Sequence, residues 1–265
     1  MAFRLYGEVF QNRLIIGSAQ YPSLEVLREC VQRSATEILT VSLRRESAAA
    51  QANGRFWDFI KDLNVKILPN TAGCHSAKEA VLTAQLAREL FNTHWIKLEV
   101  IGNDDLLAPD PFGTLEAARI LIADGFKVFP YINTDLIVCE KLREAGCEVI
   151  MPWGSYIGSG RGLEHLSGLR ILRSRLKETT LIVDAGIGRP SHAVQAMELG
   201  YDGVLLNTAI AKAVEPQAMS EAFKLAVESG RRAYESGYIE AQERAFASSP
   251  TVGMPIWHDL ELGNV

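Results

Sequence analysis

The chain has 265 residues, of which 48% are hydrophobic and 22% charged, and its formal net charge is −5. That length can bury a large core and fits one or two domains, and α/β barrels of about 200–250 residues are routinely single. The acidic balance excludes nucleic-acid backbone binding as the main business, because neutralising phosphates needs a basic face.

No apolar run approaches the roughly 18 residues of a membrane span, and the opening MAFRLYGEVFQNRL lacks a signal-peptide apolar core. The four cysteines, Cys30, Cys74, Cys139 and Cys147, form no CxxC pair, and no Cys/His cluster has zinc spacing. The expectation is a cytoplasmic protein with reduced, buried thiols, no metal, no membrane and no nucleic-acid partner.

The runs RLIIG (13–17), EILTVSL (37–43) and VKILPN (65–70) are rich in Val, Ile and Leu and bounded by Gly, Pro or Asn, as buried strands are. SAKEAVLTAQLARELF (76–91) sets Ala80, Val81, Ala84, Ala87 and Leu90 on one helical stripe, with Ser76 as N-cap and Glu79 three residues on. WIKLEV (95–100) reads as the fourth strand. GTLEAARILIADG (113–125) and DLIVCEKLREAGC (135–147) read as helices closed by C-cap glycines, with the strand KVFPYI (127–132) between them. The strands EVIMPW (148–153), TLIVDAG (180–186) and GVLLNT (203–208) follow, with the helix RPSHAVQAMELG (189–200) opening on a proline. The longest helix is EPQAMSEAFKLAVESGRRAYESG (215–237), and the Pro/Gly-punctuated end is aperiodic.

Eight strands alternating with helices point to βαβ units and a parallel sheet. A doubly wound open sheet uses the same alternation, but eight units at this length favour a single closed (β/α)₈ TIM barrel over residues 1–247 with a tail or flap at 248–265.

The strand WIKLEV answers to a barrel in a particular way. Its outer face packs on helices and its inner face fills the lumen, so Ile96, Leu98 and Val100 belong outside and Trp95, Lys97 and Glu99 inside. Glu99 lies nearer the C-terminal mouth, where such barrels build active sites. Burial there is expected to lower the Lys97 pKa towards roughly 7–8 and free an amine that attacks carbonyl carbon to form a Schiff base. A buried Lys–Glu pair without chemistry is the bland reading, but such pairs are poor stabilisers.

Three small-residue loops follow the last three strands: PWGSYIGSGRG (152–162), DAGIGRPS (184–191) and NTAIAKA (207–213). Glycine lets backbone approach a ligand, and barrels often hold phosphate after strands seven and eight, so a phosphate-bearing ligand is expected here. Asp184 ends the seventh strand as a second acid/base group beside Glu99, with helix capping or a turn as its plain alternative. Arg44 and Arg45, after the second strand, read as surface or partner-facing. Cys74 is a weak nucleophile candidate because no histidine partner can be assigned to it.

The motifs LPNTAGC (68–74), KLEVIG (97–102), PDPFGTLEAA (109–118), IGSG (157–160), DAGIGRPSHA (184–193), LGYDGVLLNTAIAKAVEP (199–216) and SSPTVGMP (248–255) resemble those of the bacterial thiazole synthases of thiamine biosynthesis, nearly end to end. The resemblance implies a (β/α)₈ barrel that condenses 1-deoxy-D-xylulose 5-phosphate, a glycine imine (dehydroglycine) and sulfur. The sulfur donor implied is a thiocarboxylate on a small ubiquitin-like sulfur carrier protein. Lys97 is then the imine-forming lysine, Glu99 and Asp184 the proton-transfer groups, and Gly158, Ala185, Gly186, Asn207 and Thr208 the ligand contacts. The lysine imine is the electron sink, so no bound cofactor is implied. Partners implied are the carrier, a glycine-imine-supplying enzyme and further copies of the chain.

The chain departs from the family's usual GTGKY, NDDP, MPLGAPIGS and PSDA with GSAQY (17–21), NTDL (133–136), MPWGSYIGS (151–159) and PSHA (190–193), putting Trp153 and Tyr156 at the expected mouth. Two other readings of the residues stay open: a class I aldolase-like Schiff-base lyase acting on a phosphosugar, and a non-catalytic barrel that binds a phosphometabolite or a partner.

Overall fold

The computed structural model describes residues 3–43, 55–246 and 248. Arg44 and Arg45 therefore lie outside the described residues, as do all but one residue of the expected tail.

Strands β1 (Phe3–Leu5) and β2 (Glu8–Phe10) form an antiparallel hairpin. Then come β3 (Leu14–Gly17), helix α1 (Leu24–Ser34), β4 (Ile38–Ser42), α2 (Arg55–Asp62), β5 (Lys66–Asn70), α3 (Ala77–Phe91) and β6 (Trp95–Leu98). A second hairpin, β7 (Ile101–Asn103) with β8 (Ala108–Pro109), precedes α4 (Pro111–Ala123), β9 (Lys127–Ile132), α5 (Leu136–Glu144), β10 (Val149–Pro152) and α6 (Leu166–Arg175). The chain continues through β11 (Thr180–Asp184), α7 (Pro190–Glu198), β12 (Gly203–Leu206), the short α8 (Thr208–Ala211) and α9 (Pro216–Ser236).

Strands β3, β4, β5, β6, β9, β10, β11 and β12 pair in that order, all parallel, and β12 closes on β3. The chain is a (β/α)₈ barrel, and all eight strands expected from the sequence form it. The helices start where local chemistry dictates. Ser23, Ser76, Asp110 and Asp135 each accept a backbone N–H of their own first turn, a cap worth about 1 kcal/mol apiece.

The period-two alternation separates two cores. Ile15, Ile38, Leu68, Phe129, Met151 and Ile182 face inward in one cluster. Leu39, Val41, Ile96, Leu98, Val128 and Val183 face outward and pack on the helices. The sorting of β6 is as expected: Trp95 lies in the inner cluster, and Ile96, Leu98 and Val100 in the outer.

The β1–β2 hairpin plugs the end of the barrel on the Trp95 side. Phe3, Leu5 and Phe10 belong to the inner cluster, the Phe10 and Trp95 ring centroids are 5.8 Å apart, and Tyr6 donates its hydroxyl to the Val128 carbonyl at 2.6 Å. The layer below Lys97 is therefore largely apolar, and the polar layer lies above it, towards the C-terminal ends of the strands.

Strand β6 ends at Leu98, two residues sooner than the alternation suggests. The Thr71 hydroxyl occupies the place of a neighbouring strand there, accepting the Glu99 N–H at 2.8 Å and donating to the Glu99 carbonyl at 2.7 Å. Among the described residues no helix is long and apolar enough to cross a membrane.

Candidate active site

Above the apolar plug lies a cavity of about 1260 Å³. Lys97, Glu99 and Asp184 all line it, and so do Gly158, Ala185, Gly186, Asn207 and Thr208. The structure thus brings these eight residues to one chamber, although they come from β6 and the residue just past its end, β11 and the loops after β10, β11 and β12.

At the chamber's centre the Lys97 ammonium lies 2.7 Å from Asp184 Oδ2 and 3.0 Å from Glu99 Oε1. All three side chains are buried, at 5%, 3% and 2% relative exposure for Lys97, Glu99 and Asp184. The Tyr131 ring on β9 lies beside the ammonium, 5.8 Å from ring centroid to Nζ.

This geometry corrects the expected lowering of the lysine pKa. Burial does push the amine down, but the Asp184 and Glu99 carboxylates outweigh it, and the Lys97 pKa is raised above its ordinary value. The group that moves towards neutrality is Asp184. Burial pushes its pKa up to about 6, opposed by the Lys97 charge and reinforced by Glu99. Two carboxylates share one ammonium, so the triad carries one negative charge too many for a dry site, and Asp184 is where a proton is most readily taken up. The 2.7 Å contact places Asp184 within reach of a proton on the Lys97 ammonium.

The glycine loops form the opposite wall. Gly158 (φ +74°) and Gly186 (φ +76°) occupy the left-handed region, and so does Ala185 at φ +70°, a costly setting for a residue with a Cβ. A Cβ on Gly186 would meet Ser155 Oγ at 2.1 Å, and one on Gly188 the Gly160 carbonyl oxygen at 2.4 Å. These two loops interlock so closely that side chains are excluded, which turns backbone towards the chamber. Asn207 donates its side-chain amide to the Ala19 carbonyl at 2.8 Å and so ties β12 to the loop after β3.

Further residues line the chamber, among them Asn70 of LPNTAGC, whose small polar residues end the third strand at the mouth. Ser18, Thr40 and Asn70 are contributed by β4, β5 and the loop after β3. Asn70 is held by its own bonds, donating to Thr40 Oγ1 at 3.1 Å and accepting from the Ala72 N–H at 3.1 Å. Lys212, exposed at the end of α8, is the second lysine lining the chamber. Inward positions near strand ends carried the signal for Thr40 and Asn70. Nothing local distinguished Lys212 from any surface lysine.

Other candidates sit elsewhere. Trp153 and Tyr156, just past the C-terminal end of β10, meet edge to face at 5.4 Å between centroids, and Trp153 also contacts Tyr131, while neither is among the residues lining the chamber. Cys74 is fully buried outside the chamber, its sulfur 3.4 Å from Thr83 Oγ1. His192, which departs from the family's usual motif, accepts the Gly188 N–H on Nδ1 at 3.2 Å and so braces the loop after β11. Among the described residues no group of three or more His, Cys, Asp or Glu side chains is placed to hold a metal.

Residues 4–250 match the family model described as Thiazole biosynthesis protein ThiG. A thiazole synthase of Brucella abortus (strain S19) is 59% identical over 248 residues, covering 94% of this chain and 97% of its own. A thiazole synthase of Bradyrhizobium diazoefficiens is 57% identical over 253 residues, covering 96% and 97%. Among solved structures, the crystal structure of the Amycolatopsis orientalis BexX/CysO complex matches with a TM-score of 0.81 at 29% identity, over 91% of this chain and 98% of that one.

Proposed function

The chain belongs to the thiazole synthase family of enzymes, and from that premise we propose that Lys97 forms a Schiff base with the ketone of 1-deoxy-D-xylulose 5-phosphate and that the chamber builds the thiazole phosphate of thiamine on it. The observation that carries this reading is the buried ammonium within 3.0 Å of two carboxylates at the floor of a chamber large enough for a phosphosugar.

The steps follow from the groups present. Asp184 takes a proton from Lys97, and the free amine adds to the ketone carbon. The carbinolamine loses its oxygen as water, with a proton supplied by the acid form of Asp184 or Glu99. The resulting iminium acidifies the neighbouring C–H. One of the two carboxylates removes that proton and returns it elsewhere, so the carbonyl moves along the chain. Each such transfer by a positioned carboxylate contributes about 10²–10⁴-fold. A carrier thiocarboxylate then adds through sulfur to the new carbonyl, its acyl group shifts from sulfur to the former carbonyl oxygen, and the carrier leaves as a carboxylate with that oxygen, so sulfur replaces oxygen on the sugar. The sulfur adds to the carbon of the glycine imine, the nitrogen so freed attacks the carbon held by Lys97 and displaces the lysine amine, and loss of a sugar hydroxyl as water completes the ring.

The phosphate end is assigned to the backbone around Gly158, Ala185 and Gly186 and to Asn207 and Thr208, with Lys212 supplying a nearby positive charge. The BexX neighbour was crystallised as a complex with CysO, which supports a protein partner for a barrel of this kind, here a thiocarboxylated sulfur carrier. A separate enzyme supplies the glycine imine.

Reconstitution tests the whole reaction: the protein, the phosphosugar, a thiocarboxylated carrier and a glycine-imine source are combined and thiazole phosphate is measured. Product that forms equally well without the carrier's thiocarboxylate would reject the sulfur step. Retro-aldol fragments of the phosphosugar, formed without any sulfur donor, would favour the lyase reading.

A further inference from the structure

We propose that Thr71 is a positioning residue for the reaction: its single hydroxyl clamps the backbone of Glu99 from both sides and so holds the Glu99 carboxylate against the Lys97 amine. The inference rests on the Schiff-base reading above and goes beyond it, because Thr71 itself touches no reacting atom.

The regular pairing of β5 with β6 stops at Asn70 opposite Lys97. Beyond that point the chain leaves the ladder, and Glu99 would have no partner on that side. Thr71 fills the gap. Its N–H donates to the Lys97 carbonyl at 3.1 Å, and its hydroxyl accepts the Glu99 N–H at 2.8 Å while donating to the Glu99 carbonyl at 2.7 Å. It is fully buried. Three hydrogen bonds from one residue thus fix two successive inward-facing residues of β6 and its extension. Among the described residues the Glu99 side chain has one anchor beyond this, its 3.0 Å contact with Lys97, and its Oε2 is buried with no hydrogen-bond partner. The direction of the carboxylate is therefore set mainly by its backbone, and its backbone by Thr71.

The electrostatic surroundings make this readable. The groups facing the Lys97 amine are Glu99, Asp184 from β11 and Tyr131 from β9, whereas Asn70 at the end of β5 and Thr71 just beyond it are uncharged. Glu99 favours the charged lysine, so a Glu99 freed to drift removes part of that support and the amine deprotonates more easily.

The test is borohydride trapping of the imine with 1-deoxy-D-xylulose 5-phosphate, followed against pH for the wild type, Thr71→Ser and Thr71→Val. Valine keeps the shape and removes both hydroxyl bonds. Glu99 raises the Asp184 pKa as well as favouring the charged lysine, so in Thr71→Val the acid-side midpoint of trapping, where Asp184 takes up its proton, is expected to fall by roughly one unit, the low end of what a close charge is worth, with Thr71→Ser restoring the wild-type midpoint. In a Glu99→Gln background, Thr71→Val is expected to move the midpoint no further. A Thr71→Val midpoint equal to the wild type's, or an equal shift in the Glu99→Gln background, overturns the clamp. If Thr71→Val fails to fold, Thr71→Ala in both backgrounds takes its place with the same expected outcomes. Absence of trapping in the wild type would instead defeat the Schiff-base reading itself.

Discussion

Lys97 Nζ lies 2.7 Å from Asp184 Oδ2, a contact made across the barrel lumen between β6 and β11. With Glu99 added, two buried acids surround one buried base, and the consequences can be measured.

Replacing the lysine exposes the cost of that arrangement. Lys97→Met leaves two carboxylates buried without a counter-charge, and breaking a buried ion pair in this way costs about 3–5 kcal/mol. The Asp184 pKa is already raised to about 6 in the folded state, above its unfolded value of 3.8, and Lys97 is the charge that opposes the rise. Removing it raises that pKa further. A raised folded pKa gives stability that is present below the unfolded value and lost as pH rises through the folded one. The stability deficit of Lys97→Met in denaturant titrations is therefore expected to shrink from neutral pH to about pH 4.5. A deficit that is constant with pH would contradict it.

On the proposed mechanism, Asp184 sets the acid side of imine formation. Below about pH 6 its carboxyl is protonated and cannot accept the lysine's proton. The trapping rate is expected to fall on the acid side with an apparent pKa near 6. Asp184→Asn should remove that limb and slow trapping by about 10²–10⁴-fold. An unchanged profile in the variant would assign the limb to another group.

Gly186 is set by both conformation and space. At φ +76°, with Ser155 Oγ 2.1 Å from the position of an added Cβ, Gly186→Ala must displace the loop after β11. Backbone strain of this kind costs about 1–3 kcal/mol. The expected outcome is a lowered melting temperature with KM for the phosphosugar raised more than kcat is lowered. Wild-type KM would show that this loop does not meet the substrate.

His192 links pH to the same loop. Burial, and then the Arg189 charge, hold its pKa below the ordinary 6.5, consistent with a neutral ring accepting the Gly188 N–H. A depressed folded pKa means that the unfolded chain takes up protons first. The stability contributed by His192 is thus present above about 6.5 and lost as pH falls through the folded value. Thermal melts of His192→Gln should lose less stability than the wild type as pH falls from 7 to 5. Parallel curves would remove His192 from the account.

Much of this was legible in the sequence because barrel strands encode their two faces by alternation. Trp95, Lys97 and Glu99 were sorted inward, and Ile96, Leu98 and Val100 outward, by spacing alone. The glycines after β10 and β11 announced loops without side chains. What spacing cannot carry is the distance between residues far apart in the chain. The contact from Lys97 to Asp184 spans the lumen, and its effect on the amine has the opposite sign to burial alone, which is why the expected lowering failed. The β1–β2 hairpin was missed because three residues per strand are too few for a period to stand out. The clamp on Glu99 was missed because a threonine in LPNTAGC looks like any turn residue until its hydroxyl is seen between two backbone groups.

The central claim is tested most directly by reducing the protein with borohydride in the presence of 1-deoxy-D-xylulose 5-phosphate and mapping the adduct by mass spectrometry. The account predicts a single reduced phosphosugar adduct on Lys97, without cleavage of the sugar, and none in Lys97→Ala. An adduct on another lysine, or one that persists in Lys97→Ala, would contradict it.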